Sequence, residues 1–320
     1  MTYLIVAIFL YLTLYTYIVL AKKAKIIDTP NHRSSHSNIT IRGGGIIFPL
    51  AILLSVFIGN FQSFFFLTGL QIISLISFWD DIRPLSAKIR FVFHLISILL
   101  MLYEVGFNLI PLWSWPFLTI LIAGIINAYN FMDGINGITG SYSLSILVSF
   151  LIINNTLLHF IPNEFIILIS LAVLVFLIFN FRKKALCFAG DIGSVSIAYI
   201  LIYILLKLII TSNNPIYLLF FSVYGIDATI TILLRIKNKE NIFEAHRTHL
   251  YQILSNEYKL SHLLVSSGYA LIQLLICGII TLSIYNAKSQ YIVWIIGTII
   301  LLVLVSSYYY IRCRLTKRFS

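Results

Sequence analysis

The sequence predicts an all-α polytopic membrane protein of about eleven transmembrane helices, with its N-terminus outside and its C-terminus in the cytoplasm. Three observations predict it. The 320-residue chain is 60% hydrophobic and only 10% charged, with a mean hydropathy of +0.97. Its apolar runs approach the roughly 20 residues that a spanning helix needs. Lipid offers the backbone no hydrogen-bond partner, so runs this long and continuous span as helices. A β-barrel would instead alternate apolar and polar residues in segments of about ten.

In order, the spans are residues 2–21, 45–61, 63–79, 89–106, 114–131, 138–154, 164–181, 194–211, 215–234, 262–284 and 291–311. The first is followed by Lys22 and Lys23 and preceded by no basic segment, the pattern of a retained anchor and not of a cleaved signal peptide. Only Asn60 to Gln62 or so separates the second span from the third, which permits an antiparallel pair. No soluble module interrupts the series, so residues 1–320 read as a single integral-membrane domain.

Orientation follows from the basic residues, because an excess of Lys and Arg in short loops marks the cytoplasmic side. When loops are assigned alternately, all but Lys207 and Lys288 of the 22 basic residues fall on one side. The net charge of +11 is therefore mostly topology signal plus attraction to anionic headgroups. A nucleic-acid role would need a basic soluble domain, and the chain has none. Cys187, Cys277 and Cys313 show no paired spacing and read as structural.

With the sides fixed, only Glu104, Glu164 and Asp227 of the eleven acidic residues lie off the basic side. Asp80 and Asp81 close the third span, Asp133 follows the fifth, and Asp191 precedes the eighth. Three helix mouths thus offer four carboxylates, which repel one another unless a cation or proton offsets them. Magnesium, or manganese in its place, suits such a site, because it takes one or two carboxylates and completes its shell with water and phosphate oxygens. Taken singly, each Asp reads equally well as a helix cap.

The neighbouring loops carry the makings of an anion receptor. Arg42-Gly43-Gly44-Gly45 leads into the second span, and glycines allow close backbone approach beside a helix N-terminus that favours negative charge. A flexible turn explains this motif as well. Gly190-Asp191-Ile192-Gly193-Ser194 has the same shape, its plain reading being an N-cap from Asp or Ser. The first loop also carries HRSSH at 32–36, and the long loop after the ninth span carries Glu244-Ala245-His246-Arg247-Thr248-His249, dense in phosphate-binding groups. His94, His159 and His262 are scattered and read as structural. Asp227, in the ninth span, is a charge inside the membrane without an evident ion-pair partner, and so the main support for a rival reading as a transporter or lipid flippase.

Five ordered motifs, PNHRSSHSNITIRGGG, FWDDIRPLSAKIR, NAYNFMDGINGITG, FAGDIGS and AHRTHLYQIL, resemble those of bacterial polyprenyl-phosphate N-acetylhexosamine-1-phosphate transferases. This is the glycosyltransferase family 4 type, related to phospho-N-acetylmuramoyl-pentapeptide transferase. HRSSH before RGGG, together with HRTHLYQ, resembles the branch that initiates O-antigen or capsule chains. The resemblance implies transfer of a sugar 1-phosphate from a UDP-N-acetylamino sugar to undecaprenyl phosphate, with UMP released, at the cytoplasmic face of the bacterial inner membrane.

Residue by residue, the resemblance implies Asp191 and Asn130 as contacts for magnesium and Asp80 and Asp81 as handlers of the lipid phosphate. It sets Asp133 and Asn136 near the nucleotide and Asn180 against uridine. Arg42, Gly43 and Gly44 fall in the first substrate loop, and His246, Arg247 and His249 close over the diphosphate sugar. Asn136 departs from the acid common at that position; it can hydrogen-bond a uracil edge but cannot act as a base. Direct attack by the lipid phosphate, aided by Asp80 or Asp81, and a covalent phosphosugar on an Asp both remain open. The sugar, set by the loop between Asn238 and Tyr258, and the oligomeric state are not fixed by the sequence.

Overall fold

The computed structural model describes residues 1–30, 39–58, 61–106, 109–241, 246–286 and 289–316. Helices α1 Thr2–Lys23, α2 Ile47–Ile58, α3 Phe64–Ile82, α4 Ala87–Gly106, α5 Trp115–Met132, α6 Ile138–Thr156, α7 Asn163–Asn180, α8 Gly190–Ser212 and α9 Ser222–Lys237 come first. The short α10 Leu250–Gln252 and the long α11 His262–Asn286 and α12 Gln290–Thr316 complete the chain. Two-residue strands, β1 Ile27–Asp28 and β2 Thr40–Ile41, pair antiparallel.

Among the described residues, ten helices are long and apolar enough to cross a membrane, matching ten of the eleven expected spans. The exception is the second. A 3₁₀ turn, Gly44–Ile46, leads into α2, which has only 12 residues. At about 1.5 Å per residue it reaches about 18 Å, short of a hydrocarbon core about 30 Å thick. Gly59 and Asn60 interrupt the apolar run after Ile58, and Phe61 packs its ring against Phe66, Phe165 and Tyr203. Ser63 Oγ and Tyr203 Oη then share a hydrogen bond of 2.9 Å as α3 begins.

The core is built around α8, whose spanning window is 89% buried, with α2, α3, α4, α5 and α6 against it. Gly193, Ser194, Ser196 and Ala198 give its first turns a small surface, and small residues let helices approach closely where no hydrophobic drive exists between them and lipid. A Cβ on Gly45 would overlap the Gly193 Cα, so both positions need glycine. By contrast α1 and α12 are only 22% and 17% buried and present apolar side chains outward.

One end of the bundle collects the loops that alternate assignment had grouped by their basic residues. Tyr17 of α1 donates to the Arg42 carbonyl, Arg90 of α4 meets Asp80 of α3, and Asn180 of α7 accepts from Gly137 ahead of α6. The Asn136 N–H donates to His262 of α11 in the same region. This end is the polar mouth of the protein.

Candidate active site

The mouth is framed by two glycine motifs that bind each other. Phe188 N–H donates to the Ile41 carbonyl (2.8 Å), Gly44 N–H to the Phe188 carbonyl (2.8 Å) and Gly45 N–H to the Ala189 carbonyl (3.0 Å). Gly43 and Gly190 have φ of 84° and 72°, a region where side chains are strained. A Cβ on Gly190 would stand 2.5 Å from Asp81 Oδ2 and 2.7 Å from the Gly43 nitrogen. Gly43 and Gly44, expected beside substrate, are thus spent on seating the Arg42 loop against the start of α8. Residues 32–36, the HRSSH motif, lie outside the described residues.

Adjacent aspartates at the end of α3 have different surroundings. Asp81, its side chain fully buried, accepts from the N–H groups of Asp191 (Oδ1, 2.8 Å) and Ile192 (Oδ2, 3.0 Å) and is paired with Arg42 Nε at 2.7 Å. It therefore caps α8 from another helix, where a local cap by Asp191 or Ser194 was expected; α8 has no side-chain cap of its own at Ala189. Such a carboxylate satisfies the free N–H groups and the positive end of the helix dipole together.

Asp80 faces the other way. Its Oδ1 accepts from Leu85 N–H (2.6 Å) and its Oδ2 pairs with Arg90 Nη1 (3.0 Å). Asp191 Oδ1 takes Arg42 Nη2 at 3.0 Å, and its Oδ2 lies 3.9 Å from Arg90. Arg90 Nη1 is thus shared by Asp80 and Asp191, at 3.0 Å from one carboxylate and 3.9 Å from the other. Carboxylates gathered around the same guanidinium groups repel one another unless enough positive charge offsets them, and Arg42 and Arg90 leave the three carboxylates one positive charge short.

This donor set fits a hard divalent cation that keeps most of its shell for water and phosphate. Asp191 and Asp80 would hold it. Asn130 lies close, its Oδ1 accepting from Ser194 Oγ at 3.0 Å, one turn along α8 from Asp191. Among the described residues no three His, Cys, Asp or Glu side chains are grouped so that together they could hold a metal ion.

The polar segment after α5 forms the second wall. Half-buried Asp133 accepts from Thr139 Oγ1 at 2.5 Å, and burial pushes its pKa up to about 6 against that hydrogen bond, with Asp191 adding to the rise. Asn136 is buried, and its Nδ2 donates to the carbonyls of Arg182 (2.8 Å) and Lys183 (3.3 Å). An unprotonated carboxylate could not make these bonds, which gives a physical reason for Asn at a position where an acid is common. Asn180 accepts from Gly137 N–H (2.7 Å) and donates to the Cys187 carbonyl (2.8 Å). As placed, both asparagines brace the loops, and Asn180 has both ends of its amide engaged.

The late loop completes the mouth. Arg247 is exposed, and His246 is half-buried, its pKa lowered to about 4 by burial, with His249 and Arg235 adding to the fall. His249 is buried with Nδ1 3.4 Å from Asp227 Oδ1. Tyr251 Oη donates to the Phe131 carbonyl (2.9 Å), joining this loop to the Asn130–Asp133 wall. Asp227, read from the sequence as lacking an evident ion-pair partner, has the His249 ring beside it, and it also accepts from Leu250 N–H (3.0 Å) and Tyr269 Oη (2.7 Å).

Sequence reading did not single out Arg90, which only the tight α3–α4 turn brings back to Asp80, ten residues earlier. It also missed Tyr17, whose hydroxyl donates to the Arg42 carbonyl at 2.7 Å. No local pattern marks either residue.

Residues 63–209 match the model of glycosyl transferase family 4, a stretch that includes every candidate residue from Asp80 to Asp191. The chain is 26% identical over 271 residues to the "Probable undecaprenyl-phosphate N-acetylglucosaminyl 1-phosphate transferase" of Bacillus subtilis, covering 76% of this chain and 73% of that one. It is 25% identical over 281 residues to the undecaprenyl-phosphate alpha-N-acetylglucosaminyl 1-phosphate transferase of Escherichia coli K12, covering 78% and 75%. A phospho-N-acetylmuramoyl-pentapeptide-transferase of Fervidobacterium nodosum is 31% identical over 131 residues, 40% of each chain. In an all-helical polytopic membrane protein, residues 63–209 are therefore similar to glycosyl transferase family 4.

Proposed function

We propose that the protein transfers an N-acetylamino-sugar 1-phosphate from a UDP-sugar to undecaprenyl phosphate, giving an undecaprenyl-diphosphate sugar and UMP. The observation that supports this reading is the set of carboxylates Asp80, Asp81 and Asp191 linked by Arg42 and Arg90 at the polar mouth of a lipid-facing bundle. A reaction joining a water-borne nucleotide sugar to a lipid-borne phosphate needs such a place. The excess of basic residues in the loops at this mouth supports a cytoplasmic face of the bacterial inner membrane. The product starts a surface polysaccharide such as O-antigen, capsule or a related cell-wall polymer.

Magnesium, or manganese in its place, on Asp191 and Asp80 would supply charge neutralisation for the diphosphate. The protein's own groups do the remaining positioning, which dominates phosphoryl transfer. Arg42 and Arg90 offer their remaining N–H groups to donor phosphate oxygens. Asp80 is the acid at the edge of the mouth and positions or deprotonates the acceptor phosphate for direct attack. Asp81, held by two N–H groups and Arg42, keeps the start of α8 in place. Asp133 borders the nucleotide, with Asn136 and Asn180 holding that wall, and His246, Arg247 and His249 lie over the donor. A transporter is less well supported, since the charge that favoured it, Asp227, is paired within the protein.

Incubating the purified protein with undecaprenyl phosphate, magnesium and a panel of UDP-N-acetylamino sugars, UDP-N-acetylglucosamine first, should release UMP. Asp191→Asn should abolish release while the protein still inserts. Absence of UMP with every donor overturns the transferase reading, and full activity under chelation overturns the cation. Isolation of a labelled phosphosugar-aspartate adduct would replace direct attack by a covalent path.

A further inference from the structure

We propose that Asp227 is a positioning residue, acting through His249 and Tyr251 to hold the late loop in register with the mouth. The inference rests on the proposed transfer reaction for its kinetic consequence, and on geometry alone for the anchoring itself. Asp227 is 1% exposed and sits on α9. Its Oδ1 accepts from Leu250 N–H at 3.0 Å and its Oδ2 from Tyr251 N–H at 3.4 Å, the first two residues of α10. Tyr269 of α11 donates to Oδ2 at 2.7 Å, and Tyr308 of α12 to Oδ1 at 3.3 Å. One carboxylate thus ties α9, α11 and α12 to the start of α10, which continues as a π-helical turn over Ile253–Glu257.

Two links run from this anchor to the site. Because His249 Nδ1 faces the Asp227 carboxylate, Nδ1 carries the proton, which fixes the ring's orientation. The other ring nitrogen, Nε2, is buried without a protein partner. A buried polar atom left unpaired is costly, so the held ring offers Nε2 to a ligand. The His249 ring lies 6.2 Å from the Phe131 ring and 4.9 Å from His246. The second link is Tyr251, whose hydroxyl donates to the Phe131 carbonyl, next to Asn130 and two residues before Asp133. Loss of the anchor would therefore disturb donor binding without touching Asp80 or Asp191.

Asp227→Asn keeps one carbonyl oxygen but loses the charge that orients His249. Hydrogen exchange in peptides covering 246–258 should quicken at least tenfold, with peptides from α8 unchanged. Tyr251→Phe, which leaves Asp227 intact, should quicken the same peptides if the first variant fails to fold. Wild-type exchange in this segment for a folded variant overturns the anchor, whether or not UMP is released. In the transfer assay the loss should fall on the KM for the UDP-sugar, by about tenfold, with kcat nearly kept. Asp227→Asn combined with His249→Gln should be no worse than the worse single variant. Losses that multiply, or that fall only on kcat, overturn the action through His249. Failure of wild-type protein to release UMP refutes the transfer reaction and leaves the exchange result to decide the anchor.

Discussion

Replacing Asp81 by Asn should cost stability first, whereas replacing Asp80 by Asn should cost activity first. Asp81 is fully buried and receives two backbone N–H groups and the Arg42 guanidinium. Asn is isosteric but has one acceptor oxygen, so one N–H at the start of α8 faces an amide NH₂. An orphaned buried donor costs about 1–3 kcal/mol, and the lost charge at the helix N-terminus costs about 0.3–1 kcal/mol more. Arg42 keeps Asp191 as a partner and is one-third exposed, so its contribution is small. The total is about 3 kcal/mol. At Asp80, Asn retains the acceptor for Leu85 N–H and loses only the pairing with the partly exposed Arg90, about 1 kcal/mol. Thermal unfolding of detergent-solubilised variants, measured beside UMP release, separates the two roles. Equal melting of Asp81→Asn and wild type, or a larger loss for Asp80→Asn, would refute the assignment of the cap.

Asp133 has its folded pKa raised to about 6 by burial, above an unfolded value near 4. The folded state therefore binds the proton more readily, and Asp133's contribution to stability is present below about pH 4 and lost as pH rises through about 6. Melting across pH 4–7 should show that slope in wild type, and Asp133→Asn should lessen it, leaving the share of Asp81 and Asp191, whose carboxyl groups burial also pushes up. Asn136→Asp would set a carboxylate against the Arg182 and Lys183 carbonyls and should destabilise by about 2–4 kcal/mol at neutral pH. Melting should recover toward acid pH, where the protonated acid can donate again. Gly45→Ala should lower both melting and activity, because its Cβ would meet the Gly193 backbone. Gly225→Ala, in α9 with nothing within 4 Å of the new Cβ, should instead stabilise by about 0.5–1 kcal/mol. Unchanged melting for Gly45→Ala would mean that the close approach of the 3₁₀ turn before α2 to the start of α8 is not needed.

The roles at the mouth were only partly legible because facing is a tertiary property. Asp80 and Asp81 are neighbours in sequence, yet adjacent helical residues point about 100° apart. The rotation of α3 against α8 decides which one caps and which one lies at the edge. The partner of Asp227 was hidden for a related reason, since His249 is 22 residues away in a loop with no helical periodicity. Asn136 and Asn180 carry residue types that suit a uracil edge equally well, and only the carbonyls around them reveal a brace. Hydropathy also overran α2: the expected span took in Phe61, whereas the helix ends at Ile58, before Gly59 and Asn60, and the Phe61 ring packs in a side-chain cluster.

What the sequence determined by itself is the class, the order of spans and the end of the bundle at which the polar motifs gather. These follow from local quantities: the length of an apolar run needed to cross hydrocarbon and the bias of Lys and Arg in short loops. Tertiary structure alone decided which carboxylate meets which donor. A charge buried at a helix mouth takes its role from the nearest N–H or guanidinium, and those come from helices that the sequence keeps far apart.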